Sequence, residues 1–193
     1  MNRNLRFNNF EEAVSELKKL EKEKVSTTKL WSFFQILDHC ADSIEFSMTE
    51  YPKVVPSFIR LTIGKFIFNK MMKDGYMRTN APNPSAPKVR EEGDEKFALK
   101  RLYNAISAFK EFQGNLAVHP VFGKLKKEEW EKLHVYHIAN HLGFVDVDKN
   151  KELKPVPRPS KVKKSLSVKP KSKAKSSVKK KPSVAKSKKK KSR

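Results

Sequence analysis

The sequence changes character near residue 150, and this change limits where a folded core can form. All 19 aromatic residues of the 193-residue chain precede residue 151. Residues 151–193 contain 19 Lys and Arg against a single Glu, and so carry +18 of the total net charge of +22. A segment this polar cannot bury enough apolar surface to offset the chain entropy lost on folding. The sequence therefore predicts one folded domain over residues 1–150 and a Lys-rich disordered tail over residues 151–193.

Apolar residues in the first 150 positions recur at the three- and four-residue spacing of a helix face. No run alternates with period two for long enough to predict a strand. A Pro- and Asn-rich break over residues 76–93 separates two groups of helices. Several amphipathic helices with modest loops favour an all-α bundle. The pattern predicts five helical stretches, at residues 10–20, 29–48, 57–73, 94–112 and 127–144.

Three features of the sequence bear on the compartment. Cys40 is the only cysteine, so no internal disulfide can form. The N-terminal residues lack the apolar run of a signal peptide, and no apolar stretch is long enough to span a bilayer. These features predict a cytoplasmic protein, with association to the nucleoid as an alternative suggested by the basic tail.

Three of the five histidines lie within eight residues of the last predicted helix: His134, His137 and His141. At roughly 100° per residue they share one stripe with Trp130, which is the stripe expected to point inward. Imidazoles four residues apart on a helix can bind one ion. His134 and His141 are about 10 Å apart along the axis, too far to share an ion. The usable pairs are His137/His141 and His134/His137, whereas the alternative is a set of hydrogen-bonded core histidines.

A further ligand must come from another helix, and His39 on the second helix is the candidate. On a helical wheel His39 falls away from the Leu37/Ile44 apolar face, so it could point to solvent. It could equally face a polar pocket at the rim of the bundle, where Asp42, one turn on, would orient it. The adjacent Cys40 does not form a nucleophile pair with His39, because neighbouring helix residues point about 100° apart. We interpret Cys40 as a buried structural thiol.

Two segments of the sequence resemble the DinB/YfiT-like superfamily. The second helix carries Trp31, Gln35 and His39 in the W-x3-Q-x3-H spacing of that superfamily. The element His119-Pro120-Val121-Phe122-Gly123, followed by the H-x3-H pair at His137 and His141, resembles the closing half of one branch, which is known only as a domain of unknown function. The resemblance covers about residues 5–147 and excludes the tail.

The resemblance implies a four-helix bundle, here with an extra short helix, that holds a divalent metal through His39, His137 and His141 plus water. Members of the wider superfamily include thiol S-transferases and thiol-dependent isomerases. Some relatives carry histidine before the last ligand, where this chain has Asn140. Nitrogen ligands suit zinc, nickel, iron or copper. We therefore expect a metal-dependent transferase or hydrolase that acts on a small molecule and uses a thiol.

Two other histidines are candidates for the surroundings of such a site. His119 precedes Pro120 in a loop, where it either caps the last helix or lines the pocket; a structural role is favoured. His134 is a pocket or second-sphere candidate if the His137/His141 pair binds the ion. The residue after His137 is Ile138, so the glutamate that zincins use as a general base is missing from that position.

The tail is expected to bind DNA or RNA without reading sequence, because lysines act on phosphates as point charges. It contains no aromatic residue to stack on bases. A solubilising tail is the alternative, and an anionic membrane surface is a lesser one. This gives a second hypothesis for the whole chain, a non-catalytic helical bundle tethered to nucleic acid. The candidate contact residues are Lys163, Lys164, Lys179, Lys180, Lys181, Lys188, Lys189, Lys190 and Lys191.

Overall fold

The computed structural model describes residues 2–28, 30–79 and 88–147, and these residues form a mostly helical domain. The predicted tail and its candidate lysines lie outside the described residues. A π-helical turn, Arg60–Gly64, joins the third and fourth helices without a break, so the predicted third stretch is one helix with an irregular turn. The helices are α1 Phe10–Leu20, α2 Phe33–Met48, α3 Ser57–Ile59, α4 Lys65–Asp74, α5 Glu95–Glu111 and α6 Lys127–Leu142.

Helix α2, which carries His39, begins later than its predicted start because of a capping box. The Ser32 hydroxyl accepts a hydrogen bond from the Gln35 amide at 3.2 Å, and the Gln35 side chain accepts one from the Ser32 amide at 2.9 Å. These two bonds satisfy backbone donors that have no partner within the helix. The cap places Trp31 immediately before the first turn, where its ring can reach the interior.

The expectation that the chain contains no strand is wrong. Strand β1, Val25–Thr27, pairs antiparallel with β2, Val145–Val147, so that Ser26 lies opposite Asp146. Strands of three residues are too short for alternation to show in the sequence. β2 begins soon after α6, which is why α6 ends at Leu142 and not at the predicted residue 144. The sheet ties the end of α6 to the chain that enters α2.

Helix α2 lies in the interior of the domain, since it packs against both α5 and α6. Its Leu37 and Ile44 are fully buried, as its apolar pattern predicts. Asp38 and His39 are buried too, at 1% and 8% exposure, although they lie off that apolar face. A helix with neighbours on two sides buries polar positions that a single-face wheel would leave in solvent. Within the described ranges, no helix has both the length and the apolar character needed to cross a bilayer.

Candidate metal centre

Helices α2 and α6 bring three imidazoles together. The Nε2 atoms of His137 and His141, one turn apart on α6, are separated by 3.0 Å. His39 reaches across from α2 and places its Nε2 atom 3.2 Å from that of His137. The ligand atoms of all three histidines lie within 4.8 Å of one another. These three residues could therefore form a metal site, and they include the His137/His141 pair.

The spacing of these nitrogens fits a shared cation better than a hydrogen-bonded cluster. Metal–nitrogen bonds of about 2.0–2.1 Å in tetrahedral geometry separate ligand nitrogens by roughly 3.3 Å. The two shortest Nε2–Nε2 distances, 3.0 and 3.2 Å, are close to that value. An imidazole nitrogen either donates a hydrogen or accepts one. The Nε2 atom of His137 therefore cannot donate to one neighbouring ring and accept from the other at the same time.

The surroundings keep these rings neutral near pH 7, which is the form that binds metal. Burial, with added repulsion from the nearby His39 ring, lowers the pKa of His141 to about 3. Burial also lowers the pKa of His137 well below its usual value, with added repulsion from His141 and His39. Burial lowers the pKa of His39 as well, although the charges of Asp42 and Asp38 oppose that shift.

Trp31 forms one wall of the triad. Its ring stacks almost parallel on His141, with centroids 5.2 Å apart and an interplanar angle of 3°. The same ring meets His39 edge-on at 4.9 Å. Because it contacts a ligand candidate from each helix, Trp31 limits how both rings can turn. His137 and His141 remain partly exposed, whereas His39 is buried.

Asp42 does not orient His39 in the way the sequence suggested. Its carboxylate accepts a hydrogen bond from the Arg101 guanidinium at 2.5 Å. The Nδ1 atom of His39 is buried and has no hydrogen-bond partner among the described residues. Metal-bound histidines usually donate this second N–H to an acceptor. Asp42 contributes to the triad through its charge and through the position of α2.

A charge network beside the triad holds α2 against α5. The buried Asp38 accepts from Arg101 at 2.6 Å and from Arg90 at 2.6 Å. Arg101 also donates to Asp42 and Glu45, so one guanidinium from α5 joins three carboxylates of α2. Because Asp38 precedes His39 in the chain, this network fixes the backbone that carries the α2 ligand candidate.

The structure places His134 and His119 away from the triad's ligand atoms. The Nε2 atom of His134 lies 3.0 Å from the Ser47 hydroxyl, and burial lowers its pKa to about 3. The Nδ1 atom of His119 accepts hydrogen bonds from the amides of Val121 and Phe122 at 3.1 and 2.9 Å. His119 thus closes its own loop, whereas the α6 N-terminus is capped by Glu129, whose side chain accepts a hydrogen bond from the Lys126 amide at 2.8 Å. Cys40 is fully buried, and burial raises its thiol pKa.

Neither the wall formed by Trp31 nor the network centred on Arg101 was predicted from the sequence. The signal for the network was present, since Asp38, Asp42 and Glu45 follow helix spacing and form an acidic stripe on an otherwise apolar helix. The position of Trp31 had a weaker signal, its place directly before the cap residue Ser32. Neither pattern identifies the residue that it contacts, because Arg101 and His141 lie in parts of the chain distant from α2.

The fold and the site together define a mostly helical protein with a three-histidine cluster that could bind a metal ion. The chain belongs to the family described as Protein of unknown function (DUF1569), which matches residues 1–148. No curated protein and no solved structure matches the chain. The family match covers all three histidines and ends before the Lys-rich tail.

Proposed function

We propose that this protein is a metal-dependent enzyme of the DinB-like type, a four-helix bundle that binds one divalent cation through His39, His137 and His141. The observation that carries the proposal is the meeting of three neutral imidazoles from two helices, with neighbouring Nε2 atoms 3.0 and 3.2 Å apart. Imidazole ligands suit zinc, nickel or iron. Three protein ligands leave a coordination position open, which is typical of catalytic and not of structural sites.

When bound, the cation would supply Lewis acidity, which lowers the pKa of a water or a thiol at the open position. Trp31 packs against two of the rings on one side of the site, and a small molecule would enter where His137 and His141 are partly exposed. Ile138 occupies the position where zincins carry a glutamate base. A thiol is more acidic than water and depends less on such a base. These features favour a thiol-using transferase over a hydrolase.

The first experiment measures metal content in the full chain, purified without a His-tag and loaded separately with zinc, nickel and iron. We expect about one equivalent of metal for one of these ions. His39→Ala, His137→Ala and His141→Ala should each lose it, because each removes a ligand. His134→Gln is the matched control, since it changes a buried histidine of the same helix whose ring contacts Ser47. A wild type without bound metal, or retention in all three alanine variants, contradicts the proposal.

A second experiment separates a catalytic site from a closed structural one. The cobalt-loaded protein is titrated with 2-mercaptoethanol while its visible spectrum is recorded. A new sulfur-to-cobalt charge-transfer band is expected if a coordination position is open. The buried Cys40 should not produce this band, and Cys40→Ser checks that point. A spectrum that the thiol does not change would contradict the proposal that the enzyme uses a thiol, but it would not contradict the proposal of a metal site.

A further inference from the structure

The helix that runs from α3 through the π turn to α4 exposes large apolar side chains. We call them the α3–α4 apolar face; they lie 46–76% exposed. A helix that is apolar all round is normally buried on all sides. Contiguous exposed apolar patches on a folded domain mark interaction surfaces. The members of the α3–α4 apolar face are Phe58, Leu61, Ile63, Phe66 and Ile67.

The opposite side of the same helix is held against the domain. A Cβ atom on Gly64 would lie 2.0 Å from the Val121 carbonyl oxygen, so the helix backbone approaches that loop closely. Phe68 is 1% exposed and its ring contacts Phe122, with centroids 5.5 Å apart. Met71 is buried one turn on. The helix is therefore docked along one side and presents a second apolar side outward.

The segment that presents this outward side is positively charged. The segment between Tyr51 and Asp74 contains five cationic residues and no Asp or Glu. Lys53, Lys65, Lys70 and Lys73 are exposed. Lys70 pairs with Asp74 at the helix end, 3.1 Å away, whereas no ion pair of Lys53, Lys65 or Lys73 occurs within the described part of the chain. Apolar residues bordered by lysines are typical of helices that lie in the headgroup region of an anionic bilayer.

The charge pattern also argues against two other binding partners for the α3–α4 apolar face. A second copy docked face to face would bring the lysines of two identical helices together, which is unfavourable for a symmetric contact. The chain's own tail carries +18 and would be repelled by the same lysines. An anionic phospholipid surface matches both the apolar side chains and the positive charge of this helix. Its acyl region would accommodate the aromatic and aliphatic side chains, and its headgroups would neutralise the lysines.

We infer that the α3–α4 apolar face binds the surface of anionic phospholipid membranes, with Phe58 and Phe66 inserted and the flanking lysines at the headgroups. The inference does not depend on the metal centre. The basic tail would add a second electrostatic attraction, and two signals together give stable attachment where one gives marginal binding.

The test is co-sedimentation of the full chain with vesicles of equal parts phosphatidylcholine and phosphatidylglycerol, against vesicles of phosphatidylcholine alone. Binding takes place at about 0.15 M salt, and the pellet is washed at about 1 M salt, where screening releases purely electrostatic contacts. The wild type should stay with the mixed vesicles after the wash. The double variant Phe58→Ser/Phe66→Ser should lose partitioning by on the order of a hundredfold. Phe97→Ser is the matched control, since Phe97 is 64% exposed on α5, outside this face.

Four results would overturn the inference. One is a double variant that sediments like the wild type, and another is an equal loss in Phe97→Ser. The third is a wild-type dimer that Phe58→Ser/Phe66→Ser converts to a monomer without any vesicle binding, which would assign the face to a second copy. Phe66→Trp gives an independent readout that needs no loss of binding. Its added emission should shift to the blue only with the mixed vesicles, and the absence of that shift would also reject the inference.

Discussion

His39 and His137 lie 98 positions apart in the chain, yet their Nε2 atoms are 3.2 Å apart. The contact joins α2 to α6. Close to it, the Arg101 network holds α2 in place and Trp31 packs against the rings of His39 and His141. The site is thus assembled from a short-range element, the H-x3-H pair of one helix, and a long-range element supplied by packing. Each element can be tested separately.

Trp31 should report metal binding through its fluorescence. Its ring stacks on His141, so a paramagnetic ion such as nickel or cobalt held by the triad should quench it. We expect quenching that saturates with one equivalent of metal and that disappears in Trp31→Phe, which keeps an aromatic wall. The other tryptophan, Trp130, is fully buried and stacks on His134, so it provides the unquenched background. Equal quenching in Trp31→Phe and the wild type would count against this geometry.

Acidification should destabilise the domain through its core histidines. The folded-state pKa of His134 is about 3, below the value of 6.5 expected in the unfolded chain. Its contribution to stability is therefore complete above pH 6.5 and is lost as the pH falls toward 3. Each such group lowers the free energy of unfolding by about 1.4 kcal/mol per pH unit within that window.

The measurement is chemical denaturation of wild type and His134→Gln between about pH 6.5 and 5, above the range where carboxylates titrate. A chelator is present so that metal release does not contribute. Because the amide of the variant does not titrate, the free energy of unfolding should fall less steeply with decreasing pH than in the wild type. Parallel pH profiles for the two proteins would mean that His134 is not neutral in the folded core.

Removal of the Arg101 guanidinium should destabilise the domain strongly. Arg101→Met removes one of the two cationic partners of the buried Asp38 and leaves the half-exposed Arg90. Breaking a buried ion pair completely costs about 3–5 kcal/mol, so a loss of up to about 3 kcal/mol is expected. Lys110→Met is the matched control, because the Lys110–Glu11 pair lies on the surface and should contribute little. Urea denaturation of both variants measures the difference, and equal stabilities would show that the network is dispensable.

The tail remains a separate prediction, and it carries the second hypothesis of a bundle tethered to nucleic acid. In full-length protein, replacement of Lys179–Lys181 and Lys188–Lys191 by Gln should weaken DNA retention and reduce its salt dependence, because fewer counterions are released on binding. Electrophoretic shifts at several salt concentrations measure this slope. A shorter run of replacements at Lys124, Lys126 and Lys127, before and within the first turn of α6, is the control. An unchanged slope in the tail variant would place nucleic-acid binding elsewhere or nowhere.

The third predicted stretch shows where local reading of the sequence loses detail. Its apolar and cationic residues correctly predict a helix, but no local rule anticipates the π turn at Arg60–Gly64. That turn lies where Gly64 meets the Val121 carbonyl, a contact between parts of the chain far apart in sequence. The pairing of β1 with β2 also joins distant parts of the chain. It could not be predicted either, because strands of three residues are too short to show an alternating pattern.

The sequence by itself determined the helical character of the domain and most helix positions, and it limited the α6 pair to His137 with either His134 or His141, because all of these follow from spacings of three and four residues along one helix. Only the tertiary structure decided that His39 faces this pair, that Asp42 binds Arg101 and that His134 binds Ser47. A helical wheel assumes one buried face, and α2 has neighbours on two sides. Burial of a polar residue depends on which distant helices surround it, and the periodicity of a single helix does not contain that information.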